Sequence, residues 1–439
     1  MSANSIRRSP MTCAAMFALF LAACGGDGGN DNTSSTSQAD HTVTIASTGT
    51  NAVSFWTDIA AKTVNASSAV TSTAEEQRTV YAVDMATVQV AVYDAVSAID
   101  GRYKPYAITP TTPAAGASMP AATAAATYGV LRVLFPDRPD QYQAAYTSYL
   151  ASIPDGDAKI KGLAIGAEVA AGTLVRRAND GRSVVLAAYV PGTAPGKYRG
   201  TNPVLRFVPS IKPFALTSAN QFRPGGPPTL DSAAYATDFN ETKALGSATS
   251  TTRTADQLDK ARFHTEPPNL LWTRNFRRFA ESTTDLAEAA RLLAFIYVVH
   301  ADANIACFEA KYAYDAWRPT SAITLADTDN NPATITDAAW TPVVPTPPHP
   351  EYPAAHGCAG GGFVETLRQY YGTRNVAFSF DSTVTANTHS FATVDAFTGE
   401  IQIARIAGGM HFRFSMVDGL TLGNKVAQWT AQRYFGPRN

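Results

Sequence analysis

The clearest signal in this sequence lies in three short segments, KYAYDAWRP (311–319), PAAH (353–356) and RIAGGMH (405–411). They supply two fixed cations, a histidine at a predicted helix start, a further arginine and a second histidine. In chain order these residues are Lys311, Arg318, His356, Arg405 and His411. Permanent positive donors hold a tetrahedral oxyanion, and chemistry on it needs a nucleophile or ligand and a proton carrier. The ordered set therefore predicts an oxyanion site.

In the first segment, Lys311 and Arg318 lie two helical turns apart, so both side chains can point from one helix face toward one place. Pro319 disfavours helical backbone at Arg318, and the helix is predicted to end there. A Lys–Arg pair alone is more often a solvated face. The apolar and aromatic neighbours of this pair, including Phe308 and Trp317, argue against full exposure.

The second and third segments each place a histidine beside a helix terminus. His356 follows Pro353 and is predicted to open a helix, where unpaired N–H groups and a partial positive charge favour an anion. Arg405 and His411 lie on either side of Gly408-Gly409, between two predicted helices. A lone histidine at a helix start is usually a cap or a core residue. The other two segments favour a functional role here.

The fold is predicted to be all-α, a helical bundle with long irregular loops. Apolar residues recur at helical spacing, and strand-like alternation is scarce. Residues 180–245 contain many prolines and glycines and are predicted to form a long irregular excursion. Helices are predicted over residues 54–99, 121–135, 141–153, 157–179, from 254 onward and through 284–317, from 356, and over 394–406 and 416–434.

The N-terminus is predicted to be a targeting segment. Two arginines precede a short apolar run that ends in LAAC (21–24), which resembles a bacterial lipobox. Residues 1–23 are thus predicted to be a lipoprotein signal peptide, and the alternative is an ordinary signal peptide cleaved nearby. Residues 24–50 are predicted to be a flexible polar tether and residues 51–439 one helical domain. The protein is expected to be exported to the cell envelope and anchored in the outer membrane through Cys24 alone.

Overall charge gives no attraction to nucleic acid or to anionic lipid. The 439 residues include 35 Lys and Arg against 36 Asp and Glu, a net charge of −1. Nucleic acid is therefore not an expected partner, and any anion site must come from local clustering. The oligomeric state is not determined by the sequence.

Six other residues are predicted to be structural. Cys307 and Cys358 flank the predicted pocket and are interpreted as two buried thiols, with a disulfide in an oxidising compartment as the alternative. Four histidines have no partner at a functional spacing: His41, His264, His300 and His389.

Beyond these segments, the chain resembles bacterial vanadium-dependent haloperoxidases, in the superfamily that includes type 2 phosphatidic-acid phosphatases. Further stretches carry the resemblance: YDAV (93–96), GRYKPY (101–106), TTRTADQ (251–257), PHPEYP (348–353) and GMHFRF (409–414). It covers most of residues 50–436. It implies an all-α fold that holds vanadate in a four-helix bundle.

The resemblance also implies roles for the site residues. His411 would bind vanadium, and His356 would take a proton from hydrogen peroxide, which then oxidises a halide to hypohalous acid. A histidine at position 349 occurs in brominating members, which favours bromide or iodide. The other residues expected to bind the cofactor are Lys311, Arg318 and Arg405 at the equatorial oxygens, and Ala355, Gly409 and His349.

Three departures from the family pattern keep two other functions open. Ala354 and Ala404 replace serines, and each lost hydrogen bond to a charged group costs about 1.5–3 kcal/mol. Ser415 stands where phosphatases carry an aspartate, which predicts that His411 lacks a carboxylate partner. The alternatives are an acid phosphatase, in which His411 becomes a phosphohistidine and His356 protonates the leaving group of a phosphoester, and a non-catalytic oxyanion-binding lipoprotein.

Overall fold

The computed structural model describes residues 41–68 and 80–438, so the predicted signal peptide, Cys24 and most of the predicted tether lie outside the described residues. The described part is mainly helical, which confirms the all-α prediction. The helices are α1 (Ala52–Ser68), α2 (Tyr81–Asp100), α3 (Met119–Leu134), α4 (Pro139–Ala151), α5 (Asp157–Arg177), α6 (Ala233–Gly246), α7 (Ala255–Phe263), α8 (Pro268–Glu281), α9 (Leu286–Tyr314), α10 (Pro319–Thr324), α11 (Ala355–Tyr371), α12 (Val394–Ala407) and α13 (Arg413–Ala431).

Two long apolar helices, α2 and α9, form the centre of the fold and pack against each other. Among the described residues, these two are long and apolar enough to cross a membrane, but 89% of the apolar window of each is buried inside the protein. Such burial is typical of core helices. Asp285 caps the N-terminus of α9, because its side chain accepts hydrogen bonds from the N–H groups of Ala287 and Glu288.

Glycines allow α11 and α13 to pack backbone against backbone. A Cβ on Gly423 would lie 2.1 Å from the carbonyl oxygen of Cys358, and one on Gly361 would lie 2.3 Å from that of Leu420. Both contacts are with main-chain atoms, so a larger residue at either position would push the helices apart. This packing fixes the first turn of α11, which carries His356.

The structure contains a small three-stranded sheet that was not predicted from the sequence. β1 (Val43–Thr44) pairs in parallel with β2 (Val376–Asp381), and β2 pairs antiparallel with β3 (Thr388–Phe391). Residues 43–44 of the predicted tether thus belong to the sheet. In β2 alternate residues are buried, and Phe378 and Phe380 pack on Phe363 in the core. Alternation over these six residues is a strand signal that the sequence analysis did not use.

The excursion predicted over residues 180–245 is irregular as far as Ser232, apart from one 3-10 turn, Val208–Ser210. Its predicted end is wrong, because α6 begins at Ala233, where the Ser232 side chain accepts a hydrogen bond from the Tyr235 N–H group. Asp302 of α9 anchors the excursion to the core. Its carboxylate accepts hydrogen bonds of 2.7 to 2.9 Å from three successive N–H groups, those of Phe214, Ala215 and Leu216.

Candidate oxyanion site

The structure gathers the predicted site residues around one cavity of about 850 Å³. Arg318 is buried behind the cavity wall and contacts His349 and His411, and Lys311 is buried at the end of α9. The predicted residues in the wall are His349, Ala355, His356, Arg405 and His411. Three segments that are distant in sequence thus meet at one place.

Lys311 is fully buried in the last turn of α9. Its ammonium group donates to the carbonyl oxygens of Pro350, at 3.0 Å, and Glu351, at 2.9 Å. An ammonium group has three N–H donors, so one remains for a further acceptor. Burial lowers the pKa of Lys311 to about 8, and the positive charge of Arg318 also lowers it.

Arg318 lies between two helices, and not at the predicted end of one. Helix α9 ends at Tyr314, because Asp315 takes a left-handed backbone conformation with φ of 53°. Arg318 then has extended backbone immediately before Pro319, which opens α10. The prediction that α9 reaches Arg318 is therefore wrong, and the side chain instead projects from a short connection.

The Arg318 guanidinium forms four hydrogen bonds with the second and third segments. Its Nε donates to the His349 carbonyl oxygen at 2.8 Å, and its Nη2 donates to His349 Nδ1 at 2.9 Å. Its Nη1 donates to the Met410 carbonyl oxygen at 3.0 Å and to His411 Nε2 at 3.2 Å. Since a guanidinium has five N–H donors, one N–H on Nη2 remains. Burial lowers the pKa of Arg318 to about 10, so it stays cationic at neutral pH.

Arg405 lies near the end of α12 and is buried, and its contacts with the described residues use only some of its N–H donors. Its Nη1 donates to the His264 carbonyl oxygen at 2.9 Å, and its Nη2 lies 3.0 Å from the sulfur of Met410. Its Nε has no hydrogen-bond partner among the described residues. Burial, with the charge of Arg318, lowers the pKa of Arg405 to about 9.

His411 has a carboxylate partner, contrary to the expectation from Ser415. Its Nδ1 lies 2.8 Å from Oε1 of Glu351, and both side chains are only 1% exposed. The main-chain N–H of Phe412 donates to the same oxygen at 3.1 Å, so Oε1 is an acceptor. The proton of His411 therefore lies on Nδ1, and the lone pair is on Nε2, which faces Arg318.

Glu351 was missed by sequence reasoning, although it connects all three segments. Its N–H donates to the carbonyl oxygen of Ala316 at 2.9 Å, and its own carbonyl accepts from Lys311. Burial raises the pKa of Glu351 to about 7, while the charges of Lys311 and Arg318 act in the opposite direction. A charged residue inside the proline-rich, otherwise apolar PEYP stretch (350–353) was the available signal, because a buried carboxylate needs partners.

His356 is buried in the first turn of α11, and its Nε2 has no hydrogen-bond partner among the described residues. Burial, then the charge of Arg405 and the nearby His264, lowers the pKa of His356 well below its ordinary value. Burial and the charges of Arg318 and Lys311 do the same to the pKa of His349. Both rings are thus neutral at pH 7.

The remaining predicted residues shape the backbone of the site. Ala355 is the first residue of α11, where main-chain N–H groups have no partner within the helix. Gly409 has φ of 77°, and its N–H donates to the Ile406 carbonyl oxygen at 2.9 Å, a turn that leads into His411. Ala354 and Ala404 are fully buried.

Two histidines predicted to be structural, His264 and His300, also line the cavity. His264 is reached only through tertiary structure, because it follows α7, far from the three segments. His300 could have been found from the sequence, since it lies three helical turns before Lys311 on α9. Burial lowers the pKa of His300 to about 3.

Cys307 and Cys358 are free thiols and fully buried, in agreement with the favoured prediction. They hydrogen-bond to each other behind the cavity wall. The Sγ atom of Cys307 also lies 3.6 Å from the carbonyl oxygen of Pro353.

Comparison with known proteins bears on the same part of the chain. Residues 291–437 match the family model described as the VCPO second helical-bundle domain. The chain resembles the vanadium haloperoxidases. The vanadium chloroperoxidase of Curvularia inaequalis is 31% identical over 105 residues, which are 22% of this chain and 17% of that protein. The match thus spans less than a fifth of that relative's length.

Solved vanadium haloperoxidases share the fold over most of the chain. A bacterial vanadium-dependent iodoperoxidase is similar with a TM-score of 0.68 at 20% identity, covering 88% of this chain and 98% of that one. A bacterial vanadium-dependent chloroperoxidase in its holo form is similar with a TM-score of 0.66 at 14% identity, covering 81% and 92%. At these identities the likeness establishes the vanadium haloperoxidase helical-bundle fold, as predicted.

Proposed function

We propose that this chain is a vanadium haloperoxidase-like enzyme that oxidises a halide with hydrogen peroxide at a vanadate held by His411. The observation that carries the proposal is the contact between His411 Nδ1 and Glu351, 2.8 Å. It leaves the lone pair on Nε2, where the buried cation Arg318 now donates to it at 3.2 Å and where a bound oxyanion centre would take its place. This is the arrangement that a nitrogen ligand to an oxyanion-bound metal requires.

The charge and the donors of the site suit vanadate. Within residues 41–68 and 80–438, the three buried cations Lys311, Arg318 and Arg405 share the site with one buried carboxylate, that of Glu351. An anion would offset the excess positive charge. One N–H of Lys311, one of Arg318 and the Nε of Arg405 remain available to its oxygens.

Each side chain then has a definite task. Arg318, Lys311 and Arg405 hold the oxygens and spread the negative charge, while Glu351 keeps the proton of His411 on Nδ1. His356, neutral and with a bare Nε2, accepts a proton from hydrogen peroxide. When bound, vanadate supplies the Lewis acidity that makes peroxide an oxygen donor to the halide.

The preferred halide is proposed to be bromide or iodide. His349 lies in the cavity wall, and its ring packs edge-on against Phe308 with centroids 5.2 Å apart. Its Nδ1 lies 2.9 Å from Nη2 of Arg318 and 3.2 Å from the carbonyl oxygen of Pro350. The larger and more polarisable halides suit this half-apolar wall, and they are also the easier ones to oxidise.

An acid phosphatase is the second candidate, and one specific observation favours it. Glu351 supplies the carboxylate that Ser415 does not, so His411 Nε2 is as well prepared to attack phosphorus as to bind vanadium. His356 would then protonate the leaving alkoxide. A non-catalytic oxyanion-binding protein is the third candidate, supported by the hydroxyl groups missing at Ala354 and Ala404.

The deciding experiment measures bromide and iodide oxidation by phosphate-free protein that begins after Cys24, with and without orthovanadate. Activity is expected only with vanadate and peroxide together, and His411→Ala should abolish it. His41→Ala, an exchange of an exposed histidine, is the matched control. If protein saturated with vanadate oxidises no halide, the haloperoxidase proposal fails. Turnover of a chromogenic phosphoester by metal-free protein would then establish the phosphatase.

The location of the protein is also proposed from the N-terminal sequence. The LAAC stretch (21–24) supports export and lipid attachment at Cys24, with an outer-membrane anchor. Cell fractionation of the full chain tests it. The Cys24→Ser variant is expected to leave the membrane fraction or to stay unprocessed.

A further inference from the structure

Four titratable side chains form a continuous row from the protein surface to the cavity. Asp259 Oδ2 lies 2.9 Å from His389 Nε2, and His389 Nδ1 lies 2.7 Å from Oε1 of Glu400. The same Glu400 oxygen lies 3.1 Å from His264 Nε2. Side-chain exposure falls along the row from 45% to 12%, 10% and 0%. The outer end of the row is therefore solvent-exposed, and its inner end is buried.

The inner end of the row adjoins the oxyanion site. His264 lines the same cavity as His356, and its carbonyl oxygen accepts a hydrogen bond from Arg405 at 2.9 Å. Nδ1 of His264 is buried and has no hydrogen-bond partner among the described residues, and the same holds for Nε2 of His356. A buried imidazole nitrogen is normally paired with a protein group or with water. Both unpartnered nitrogens belong to rings that line the same cavity.

Acid and base alternate along the row, as proton transfer requires. His389 presents one ring nitrogen to each of two carboxylates, Asp259 and Glu400. An imidazole that gains a proton at one nitrogen can release another from the opposite nitrogen, and a carboxylate can accept and return it. Every gap in the row is already at hydrogen-bond distance.

We propose that Asp259, His389, Glu400 and His264 form a proton path from solvent to the cavity. The proposal rests on the proposed haloperoxidase function. In that reaction the halide loses two electrons, the O–O bond of peroxide breaks, and one peroxide oxygen bonds to the halide. The other oxygen leaves as water, and halide, peroxide and one proton give hypohalous acid and water. Each turnover therefore consumes one proton at the site.

The kinetic test compares Glu400→Gln with the wild type under saturating vanadate. The variant should lose at least about tenfold in kcat, since proton transfer by a placed group contributes a hundredfold or more. KM for halide and peroxide should stay unchanged, the solvent isotope effect on kcat should rise, and added imidazole should restore the rate. Asp256→Asn is the matched control, because Asp256 is on α7 but is paired with Lys260 outside the row. Unchanged kcat in Glu400→Gln, or loss without imidazole rescue, would overturn the path.

A second test needs neither vanadate nor turnover. Nitrogen-15 NMR of histidine-labelled protein follows the rings of His264 and His389 through pH. Glu400 and His389 face His264 together with Arg405, while Asp259 and Glu400 face His389. The two rings are expected to respond together, and Glu400→Gln should separate their responses. Independent titration in the wild type would refute the path. Absence of halide oxidation with coupled titration would instead refute only the enzymatic proposal.

Discussion

Nδ1 of His411 and Oε1 of Glu351 lie 2.8 Å apart, and each side chain is only 1% exposed. This pair determines which imidazole nitrogen carries the lone pair, because the carboxylate holds the proton on Nδ1. Since Phe412 donates its N–H to the same oxygen, the carboxylate is also held in place. The lone pair is therefore on Nε2, which accepts a hydrogen bond from Arg318 at 3.2 Å in this structure and would bind an oxyanion centre in its place.

We expect Glu351→Gln to weaken vanadate binding or turnover about 10- to 100-fold, as loss of a carboxylate that orients a ligating histidine does elsewhere. The amide oxygen can still accept both hydrogen bonds, but it lacks the charge that makes Nε2 more basic. Vanadate titration by calorimetry measures the effect. Glu309→Gln is the control, since Glu309 pairs with Arg223 on the surface. Wild-type affinity in the Glu351 variant would contradict an orienting role.

Arg405→Lys should lower vanadate affinity by about tenfold or more. The guanidinium contacts His264 and Met410 from two separate nitrogens, and the single nitrogen of an ammonium group cannot lie at both positions and also reach an anion. One lost hydrogen bond to a charged group costs about 1.5–3 kcal/mol. The same calorimetric titration applies, with Arg374→Lys, which alters an exposed pair, as the control. Equal affinities in the two variants would argue against an anion contact by Arg405.

Gly423→Ala should destabilise the protein by about 1–3 kcal/mol, because its Cβ would lie 2.1 Å from the carbonyl oxygen of Cys358. Displacement of α11 should also reduce halide oxidation through His356. Gly399→Ala in α12 is the control, as nothing lies within 4 Å of its added Cβ. That change should be neutral or stabilise by up to about 1 kcal/mol. Thermal unfolding at one pH measures both, and equal Tm values would contradict the close approach.

Stability should depend on pH through His300. Burial lowers the pKa of His300 to about 3, so the folded state stays neutral where the unfolded chain binds a proton. The contribution to stability is fully present above pH 6.5 and is lost as pH falls toward 3, by about 1.4 kcal/mol per pH unit. His300→Gln should reduce this slope in unfolding curves measured from pH 7 to pH 4. An unchanged slope would mean that the pKa of His300 is the same in the folded and unfolded states.

The two buried thiols should be unreactive in the folded protein. Cys307 and Cys358 are fully buried and free, so a thiol reagent is expected to label neither until the chain is unfolded. In protein that begins after Cys24, unfolding without a reductant should then make both thiols accessible to the reagent. Recovery of no thiols after unfolding would show a disulfide between α9 and α11.

The sequence predicted the cations and two histidines of the site because each lies in a local pattern with a helix end, a proline or a glycine. It did not predict Glu351 as the partner of His411, since sixty positions separate them and only folding brings PEYP (350–353) beside the start of α13. His264 was assigned to structure for the same reason. Its contacts, with Glu400 and with Arg405, are made across separate helices.

By itself, the sequence predicted the helical class, the approximate bounds of several helices, and the three cations and two histidines of the candidate site. These depend on apolar spacing and on chemistry within a few residues of each other. Tertiary structure alone decided that Glu351 holds the proton of His411 on Nδ1 and leaves the lone pair on Nε2. It alone also decided that the row of acids and bases from Asp259 to His264 reaches the cavity. Such contacts depend on how helices pack, and that packing is set by close contacts such as Gly423 on Cys358, which no local pattern encodes.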